Sequence, residues 1–195
     1  DYEIVRLSMP YIPGFLAFRE AAHLVKLVEK LKANQPEKMP QLIMVDGNGI
    51  LHQNGCGLAS HLGMLIDLPT VGCGKTIFFV DGLHKDRVLA QAAENNKKGG
   101  DYVELKGDSG RVWGAALRST TKSSDPIIVS VGHKISLKTA VDVVVKCCKH
   151  RIPEPVRLAD LTSRKVVKEM ASKGDIEPVE NTLRFLTEEA GATAQ

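Results

Sequence analysis

The chain has 195 residues, of which 43% are hydrophobic and 25% are charged, with a formal net charge of +3. This is the composition of an ordinary globular domain that is long enough to bury a core. No apolar stretch reaches the length of a membrane span, and the first residues lack the basic and apolar regions of a signal peptide. The small positive charge is compatible with a polyanionic partner but does not by itself argue for one.

The first part of the chain predicts a strand, a stiff loop, a helix and a second strand. EIVRLS alternates apolar and charged residues as a strand does, and the prolines of MPYIPG exclude a helix and a central strand. From Phe15 to about Ala33 apolar residues recur at helical spacing, and Asn34 and Pro36 end that helix. QLIMVDG is a continuous apolar run that ends in an acid, which is typical of a buried parallel strand.

The remaining chain alternates between helix and strand patterns. LASHLGMLIDL predicts a short helix, TVGCG a buried strand, and the following TIFFVDGLHKDRVLAQAAENNKKGG a strand tail, a short helix and a polar loop. DYVELK and RVWGAALRS predict paired strands, and PIIVSVGH predicts another buried strand. Ser136 is a candidate N-cap for the helix LKTAVDVVVKCCKH, and RIPEPVRLAD is a loop that enters a further helix. The pattern indicates one α/β domain with a mixed sheet over residues 1–171 and a charged, loosely ordered tail over residues 172–195.

Cysteine, histidine and glycine patterns exclude several kinds of site. The four cysteines are spaced neither for a disulfide framework nor for zinc, so we expect reduced thiols that act as small hydrophobes. The histidines form no metal pair at helical or hairpin spacing, so zinc is not expected. GCGKT resembles the end of a P-loop, but Pro69 stands where that motif needs a glycine, and proline has no N–H for a phosphate.

Three dispersed acids and one lysine are the candidates for chemistry. Asp46 ends an apolar strand before two glycines, where α/β folds place ligands, although an Asx turn that closes the strand is an alternative. Glu20 and Asp160 lie near predicted helix starts, where a carboxylate also fits as a partner of the helix dipole. Lys75 follows a buried strand and is either the cation of a site or a solvated surface lysine. Acids without a Cys or His cluster suit Mg²⁺ or Mn²⁺, which assist phosphodiester hydrolysis.

Several blocks of the sequence together resemble the endonuclease V family of inosine-specific nucleases. They follow the family's order from about Met9 to Ser163 and are PYIPGFLAFRE, VDGNGILH…GCGLASHLG, PTVGCGKT, GDSG…GAALRS, IIVSVGHKISL and RIPEPVRLAD. The resemblance implies an RNase H-like α/β fold and a Mg²⁺-dependent endonuclease in which Mn²⁺ can substitute. It implies cleavage of the second phosphodiester 3′ to inosine, leaving 3′-hydroxyl and 5′-phosphate ends. The similarity is greatest to the animal branch, which implies single-stranded RNA as the main substrate and deaminated DNA as a further one.

The resemblance also implies roles for individual residues. The implied catalytic residues are Glu20, Asp46, His52, Lys75 and Asp160. Among them, Asp46 and Glu20 would bind the metal. The implied wedge, which fills the gap left by a displaced base, consists of Tyr11, Ile12 and Pro13. The implied pocket for the base is lined by Gly14, Leu16, Gly47, Gly49, Gly57 and Leu58. Glycines are expected there because an extruded base that main-chain groups read leaves no room for side chains.

One feature of the family has no counterpart in this sequence. The family carries a further catalytic aspartate on its first strand, well upstream of the PYIP loop, and Asp1 is too close to Tyr11 to be its equivalent. We therefore expect a chain that is incomplete at its N-terminus, lacks the family's first strands and is inactive or nearly so by itself. The alternative function is an inosine-nucleic-acid binding fragment with impaired cleavage. We further expect a monomer without membrane contact, located in the cytoplasm or also in the nucleus and nucleolus.

Overall fold

A computed structural model describes residues 2–5, 9–10, 12 and 14–174 of the chain. Its helices are α1 (Leu16–Asn34), a 3-10 helix (Pro36–Lys38), α2 (Leu58–Ile66), α3 (Lys85–Asn95), α4 (Leu137–Lys146) and α5 (Glu154–Lys173). Its strands are β1 (Ile43–Val45), β2 (Thr70–Gly74), β3 (Tyr102–Lys106), β4 (Val112–Leu117) and β5 (Ile127–His133). The chain divides into two compact units, Asp1–Arg157 and Leu158–Gln195, and these strands all belong to the first.

The strands form one sheet in the order β1-β2-β5-β4-β3. Strands β1 and β2 are parallel, with Val45 opposite Gly72, whereas the other neighbouring strands are antiparallel. This arrangement confirms the predicted α/β fold with a mixed sheet flanked by helices. The parallel pair matters for function because the carboxyl ends of two parallel neighbours lie at the same edge of the sheet.

The core lies on both faces of this sheet because successive residues of a strand point to opposite sides. In β4, Leu117 packs with helix α4 in one apolar cluster, while its neighbour Ala116 packs with helix α3 in another. In β5, Ile127 and Ile128 divide between the same two clusters. A third cluster joins α1 and α2 to β1 through Val45. Strand β2 is buried at every residue, so the sequence positions that follow it are fixed by a rigid element.

Most of the predicted elements are present close to their predicted bounds. Helix α1 ends at Asn34 as expected, and the strands predicted from TVGCG, DYVELK, RVWGAALRS and PIIVSVGH are all formed. All four cysteines are free, although only Cys73 is buried. Within the described residues, no helix combines the length and the apolar character that crossing a membrane requires. Helix α5 extends to Lys173, so the predicted tail begins with helical residues, and the predicted domain boundary stays a prediction.

Three strand predictions are corrected. The strand predicted from EIVRLS is not formed over residues 2–5, where Ile4 is 48% exposed, and residues 6–8 lie outside the described part. No strand tail follows β2, because Ile77 and Phe78 pack onto the α3 side of the core without pairing. Strand β1 is only partly buried, since it is the last strand in the described sheet. An apolar pattern in the sequence therefore predicts neither full burial nor a pairing partner, because both depend on the neighbouring elements.

Helix α4 offers a test of the predicted N-cap. The Thr139 N–H donates to Ser136 Oγ at 3.1 Å and so satisfies one of the unpaired N–H groups of the first turn. We expect Ser136→Ala to lower the free energy of unfolding by about 1 kcal/mol in urea denaturation. Ser136→Asp, which keeps an oxygen acceptor at the cap, should retain wild-type stability. Equal losses in the two variants would show that the cap is not the cause.

Candidate active site

An acid and a lysine meet at the carboxyl edge of the parallel strand pair. Asp46 directly follows β1 and Lys75 directly follows β2, and the Lys75 Nζ donates to Asp46 Oδ2 at 2.9 Å. Each side chain keeps 45% of its surface exposed, so both are accessible to a ligand. An exposed ion pair of this kind contributes at most about 1 kcal/mol to stability. The position of the pair therefore indicates chemistry rather than a structural role.

Glu20 adds a second carboxylate to this site. Burial raises the pKa of the half-buried Glu20 carboxyl above its ordinary value of 4.5, the Arg19 guanidinium lowers it, and the Asp46 carboxylate raises it again. Asp46 thus acts electrostatically on Glu20, so the two acids lie in one neighbourhood. The resemblance implied a shared metal site for them, and that role stays a prediction. A cation bound between them would favour the charged forms of both.

The two carboxylates fit a hard divalent cation. Mg²⁺ is commonly held by one or two carboxylates together with substrate phosphates and water. In the described part of the chain, no group of three or more His, Cys, Asp or Glu side chains is arranged to hold a metal. Binding of Mg²⁺ by Asp46 and Glu20 stays a prediction. The Lys75 ammonium shows that the exposed face of Asp46 accepts a positive charge.

The loop over residues 47–49 runs in backbone contact with the central strands. A Cβ on Gly72 of β2 would lie 2.6 Å from the Gly47 carbonyl oxygen, and a Cβ on Gly49 would lie 2.0 Å from the Val131 carbonyl oxygen. The Gly49 N–H donates to the buried Ser130 Oγ at 2.7 Å, and the Ile50 N–H donates to the Val131 carbonyl at 2.7 Å. These contacts fix the direction in which the chain leaves Asp46.

Contacts within the protein explain why some of the predicted pocket residues are glycines. A Cβ on Gly57 would lie 2.4 Å from the Asn48 carbonyl oxygen, so Gly57, like Gly49, is required by the protein's own backbone. Gly14 and Gly47 instead have φ angles of +80° and +148°, which favour glycine. The nearest atom to a Cβ on Gly47 would be Leu58 Cβ at 3.9 Å, which leaves space beside Asp46. Backbone packing is thus a reason for Gly49 and Gly57 that does not require a bound base, and their place in a base pocket stays a prediction.

His52 joins the glycine-rich stretch to the loop before α1. Its side chain is 7% exposed and lies against the Phe78 ring, with 5.1 Å between centroids. The Asn54 N–H donates to His52 Nδ1 at 3.2 Å. Burial lowers the pKa of His52 below 6.5, and a hydrogen bond with the Gly14 backbone raises it in part. Burial thus disfavours the charged form of the ring, and its hydrogen bond links the ring to Gly14, while a catalytic role for His52 stays a prediction.

The other predicted base-binding residues divide into two groups. Leu16 at the start of α1 and Leu58 at the start of α2 pack in the same apolar cluster, so the structure brings them together. Ile12 is 51% exposed, and its carbonyl accepts from the Phe15 N–H at 3.0 Å. Tyr11 and Pro13, the other residues of the predicted wedge, lie outside the described residues.

Asp160 lies in the second unit of the chain, beyond Arg157. The Arg164 Nε donates to Asp160 Oδ1 at 2.9 Å, one helical turn along α5. This is an ordinary surface pair between residues four apart in a helix. A role for Asp160 in catalysis stays a prediction.

Two residues that support the site were missed from the sequence. Ser130, the acceptor of the Gly49 N–H, is fully buried in β5, and a lone polar residue within PIIVSVGH is a signal that could have found it. Arg151 donates through Nη2 to the Lys75 carbonyl at 3.0 Å and to the Pro126 carbonyl at 2.9 Å. It thereby fixes the backbone that carries Lys75. No local pattern predicts a contact across 76 positions of the sequence.

The fold and the site together define an α/β protein with a carboxylate–lysine centre at the carboxyl edge of two parallel strands. The Endonuclease V family model matches residues 1–161. Mouse endonuclease V is 45% identical over 194 residues, which are 97% of this chain and 56% of that protein. The chain belongs to the endonuclease V family. It spans 56% and 60% of the length of the mouse and human relatives.

Solved structures of two relatives have the same fold. The catalytic domain of human endonuclease V superposes with a TM-score of 0.83 at 47% identity, covering 85% of this chain and 68% of that one. Endonuclease V of Ciona intestinalis, in complex with a 23mer DNA containing an inosine followed by a ribo-adenosine, superposes with a TM-score of 0.81. Its identity is 40%, covering 85% of this chain and 70% of that one. The likeness to animal proteins agrees with the predicted animal-type sequence.

Gly49 tests whether the loop is held by the protein's own backbone. We expect Gly49→Ala to lower the free energy of unfolding by about 3 kcal/mol or more, because the new methyl group would meet a strand carbonyl that cannot retreat. The matched control is Gly55→Ala, where φ is +63° but no atom lies within 4 Å of the Cβ. It should cost about 1 kcal/mol, from backbone conformation alone. Similar losses in chemical denaturation would contradict the close-contact explanation.

His52 predicts how stability depends on pH. Its folded pKa lies below the unfolded value of 6.5, so the unfolded chain binds the proton first as the pH falls. Stability should therefore decrease below about pH 6.5, by no more than about 1.4 kcal/mol per pH unit from this one group. In thermal unfolding between about pH 5.5 and 7.5, His52→Gln should show a weaker pH dependence than the wild type. The exposed His84 provides the control substitution, His84→Gln, which should leave the dependence unchanged.

Proposed function

We propose that this chain acts as a metal-dependent endonuclease that cleaves the second phosphodiester 3′ to inosine. The observation that supports this most directly is the Lys75–Asp46 pair at 2.9 Å, exposed at the sheet edge, with Glu20 in its electrostatic neighbourhood. Two carboxylates beside a cation suit a phosphodiester, whose charge increases as the bond breaks. Membership in the endonuclease V family supports the same reaction.

Each residue of the site would have a separate role in the reaction. Lys75 would neutralise the charge that develops on the phosphate, and Asp46 and Glu20 would hold Mg²⁺, with Mn²⁺ as a substitute. A bound Mg²⁺ supplies activation of water and stabilisation of the leaving oxygen. Loop 47–49, fixed against β2 and β5, would keep Asp46 in place while the substrate binds. The products would carry 3′-hydroxyl and 5′-phosphate ends.

The proposed substrate is inosine in single-stranded RNA, with deaminated DNA as a further substrate. The Ciona intestinalis complex contains inosine followed by a ribonucleotide, and it supports recognition of a ribose next to the inosine in this family. Gly47 and Leu58, which lie near each other beside Asp46, are the residues proposed to contact the base. The proposed enzyme works as a monomer in the cytoplasm, and also in the nucleus and nucleolus. That location is proposed from the sequence resemblance alone.

The alternative proposal is a protein that binds inosine-containing nucleic acid but cleaves it poorly. It is favoured by one observation: the described residues contain no cluster of three or more potential metal ligands. A metal held by two carboxylates depends more on the substrate phosphates for its remaining contacts. The two proposals differ in cleavage and agree in binding.

Cleavage and binding assays of Asp46→Asn test the proposal. With a single-stranded RNA containing one inosine, the proposed endonuclease should cut in Mg²⁺ or Mn²⁺ and be inactive in EDTA. The low activity expected from the sequence, like the alternative proposal, instead predicts binding with little or no cleavage by the wild-type chain. Asp46→Asn should reduce the single-turnover rate by about 100-fold or more, since even groups behind a metal ligand are worth 10–100-fold. Its affinity for the RNA in EDTA should stay within about twofold of wild type.

The control and the contrary outcomes are specific. Asp67→Asn removes another exposed carboxylate, which pairs with Lys134, and should leave cleavage unchanged. Binding of inosine RNA without cleavage by the wild type would support the alternative. Cleavage that is equally fast without inosine, or that survives in Asp46→Asn, would contradict the proposed function.

A further inference from the structure

A cavity opens directly beside Lys75, on the side of β2 that faces the start of α3. It has a volume of about 240 Å³ and is lined by Lys75, Thr76, Lys85 and Arg151 among others. Asp125 is the only acidic side chain in its lining. The cavity is therefore a small recess with both apolar and charged residues in its lining and an excess of positive charge, adjoining the proposed catalytic pair.

Two of the three cations of this recess, Arg151 and Lys85, form no ion pair with a described residue, whereas Lys75 pairs with Asp46. Arg151 donates through Nη2 to two neutral carbonyl groups, those of Lys75 and Pro126. Neither carbonyl compensates the positive charge of Arg151. Its Nε is buried and makes no hydrogen bond with any described residue. Lys85, the exposed first residue of α3, forms no ion pair within the described part of the chain. A cluster of cations that carboxylates neutralise only in part is suited to binding an anion.

A second cavity of about 200 Å³ lies beside the recess along α3. Both cavities are lined by Leu89, Asp125 and Pro126, so they adjoin each other, and together they are called the groove. At its far end Arg118 donates to the carbonyls of Asn96 and Thr121. Asp101 interacts electrostatically with Arg118, so this end is less positive than the recess beside Lys75. The groove thus has its strongest positive charge next to the proposed catalytic pair.

From this geometry we infer that the recess formed by Lys75, Lys85 and Arg151 binds a backbone phosphate of the nucleic-acid strand next to the bond that is cleaved. The inference rests on the proposed function, in which Lys75 contacts the phosphate of the bond that is cleaved. The recess would hold the neighbouring phosphate of the same strand. Arg151 and Lys85 contact the strand through charge and hydrogen bonds to phosphate oxygens. Such contacts carry no sequence information, so the recess contributes affinity and register rather than selection of inosine.

The salt dependence of binding tests this site. Binding of single-stranded RNAs of about 12 nucleotides, with and without inosine, is measured in EDTA by fluorescence anisotropy over a range of salt concentrations. Lys85→Ala should weaken both complexes by about two- to fivefold. It should also reduce the slope of log K against log salt by about 0.7, the value for one lost contact to a single strand. Asp125→Asn should tighten both complexes, because it removes the one opposing charge.

Matched controls separate the recess from general surface charge. Lys106→Ala and Glu104→Gln remove an exposed charge of each sign on β3, outside the groove, and should change neither affinity nor slope. The inference is overturned if Lys85→Ala keeps the wild-type slope, or if its effect is confined to inosine-containing RNA. If the wild-type chain in that case still binds inosine-containing RNA more tightly than RNA without inosine, the proposed function is unaffected. A wild-type chain that binds neither RNA overturns both.

Discussion

The arrangement of the site depends on the close approach of three backbone segments. Loop 47–49 crosses β2 at Gly72 and touches β5 at Val131, with spacings that exclude a Cβ on either Gly72 or Gly49. Because β2 is buried throughout, it cannot shift to admit a side chain. The loop is therefore seated by main-chain contacts, and the geometry of Asp46 against Lys75 follows from how tightly strands and loop can pack.

The packing of loop 47–49 positions charged side chains that contribute little to the stability of the fold. Burial disfavours the ionised form of Glu20, and the nearby Asp46 carboxylate disfavours it further. The Lys75 ammonium neutralises part of this negative charge, but an exposed ion pair contributes little to the free energy of unfolding. Sites kept at some cost in stability are a common property of enzymes, where the unfavourable charges become useful when a ligand arrives. In this site a cation, a phosphate or both would complete the charge balance.

The sequence predicted those features that depend on short-range patterns. The end of α1 at Asn34, the buried strand Thr70–Gly74 and the cap at Ser136 each follow from neighbouring residues, and the structure has them. Asp46 and Lys75 were each candidates from strand ends and family motifs, but the ion pair between them is seen only in the structure. The role of Arg151 and the backbone contact at Gly49 could not be predicted, because each depends on segments far apart in the chain. The EIVRLS prediction failed for a related reason, since alternation alone does not supply a partner strand.

The positions of these features suggest a division between affinity and selectivity. Phosphate contacts fix a strand's register without reading its bases, so a recess lined by Lys85 and Arg151 would hold inosine-containing and ordinary strands alike. Selection would then have to come from the open space at Gly47 and Leu58, on the Asp46 side of the pair. An extruded base is read by shape and hydrogen bonds in such a space, at an unstacking cost of a few kcal/mol. Binding energy from the recess would offset that cost, so a cation far from the base could raise cleavage of inosine strands without changing the preference for inosine.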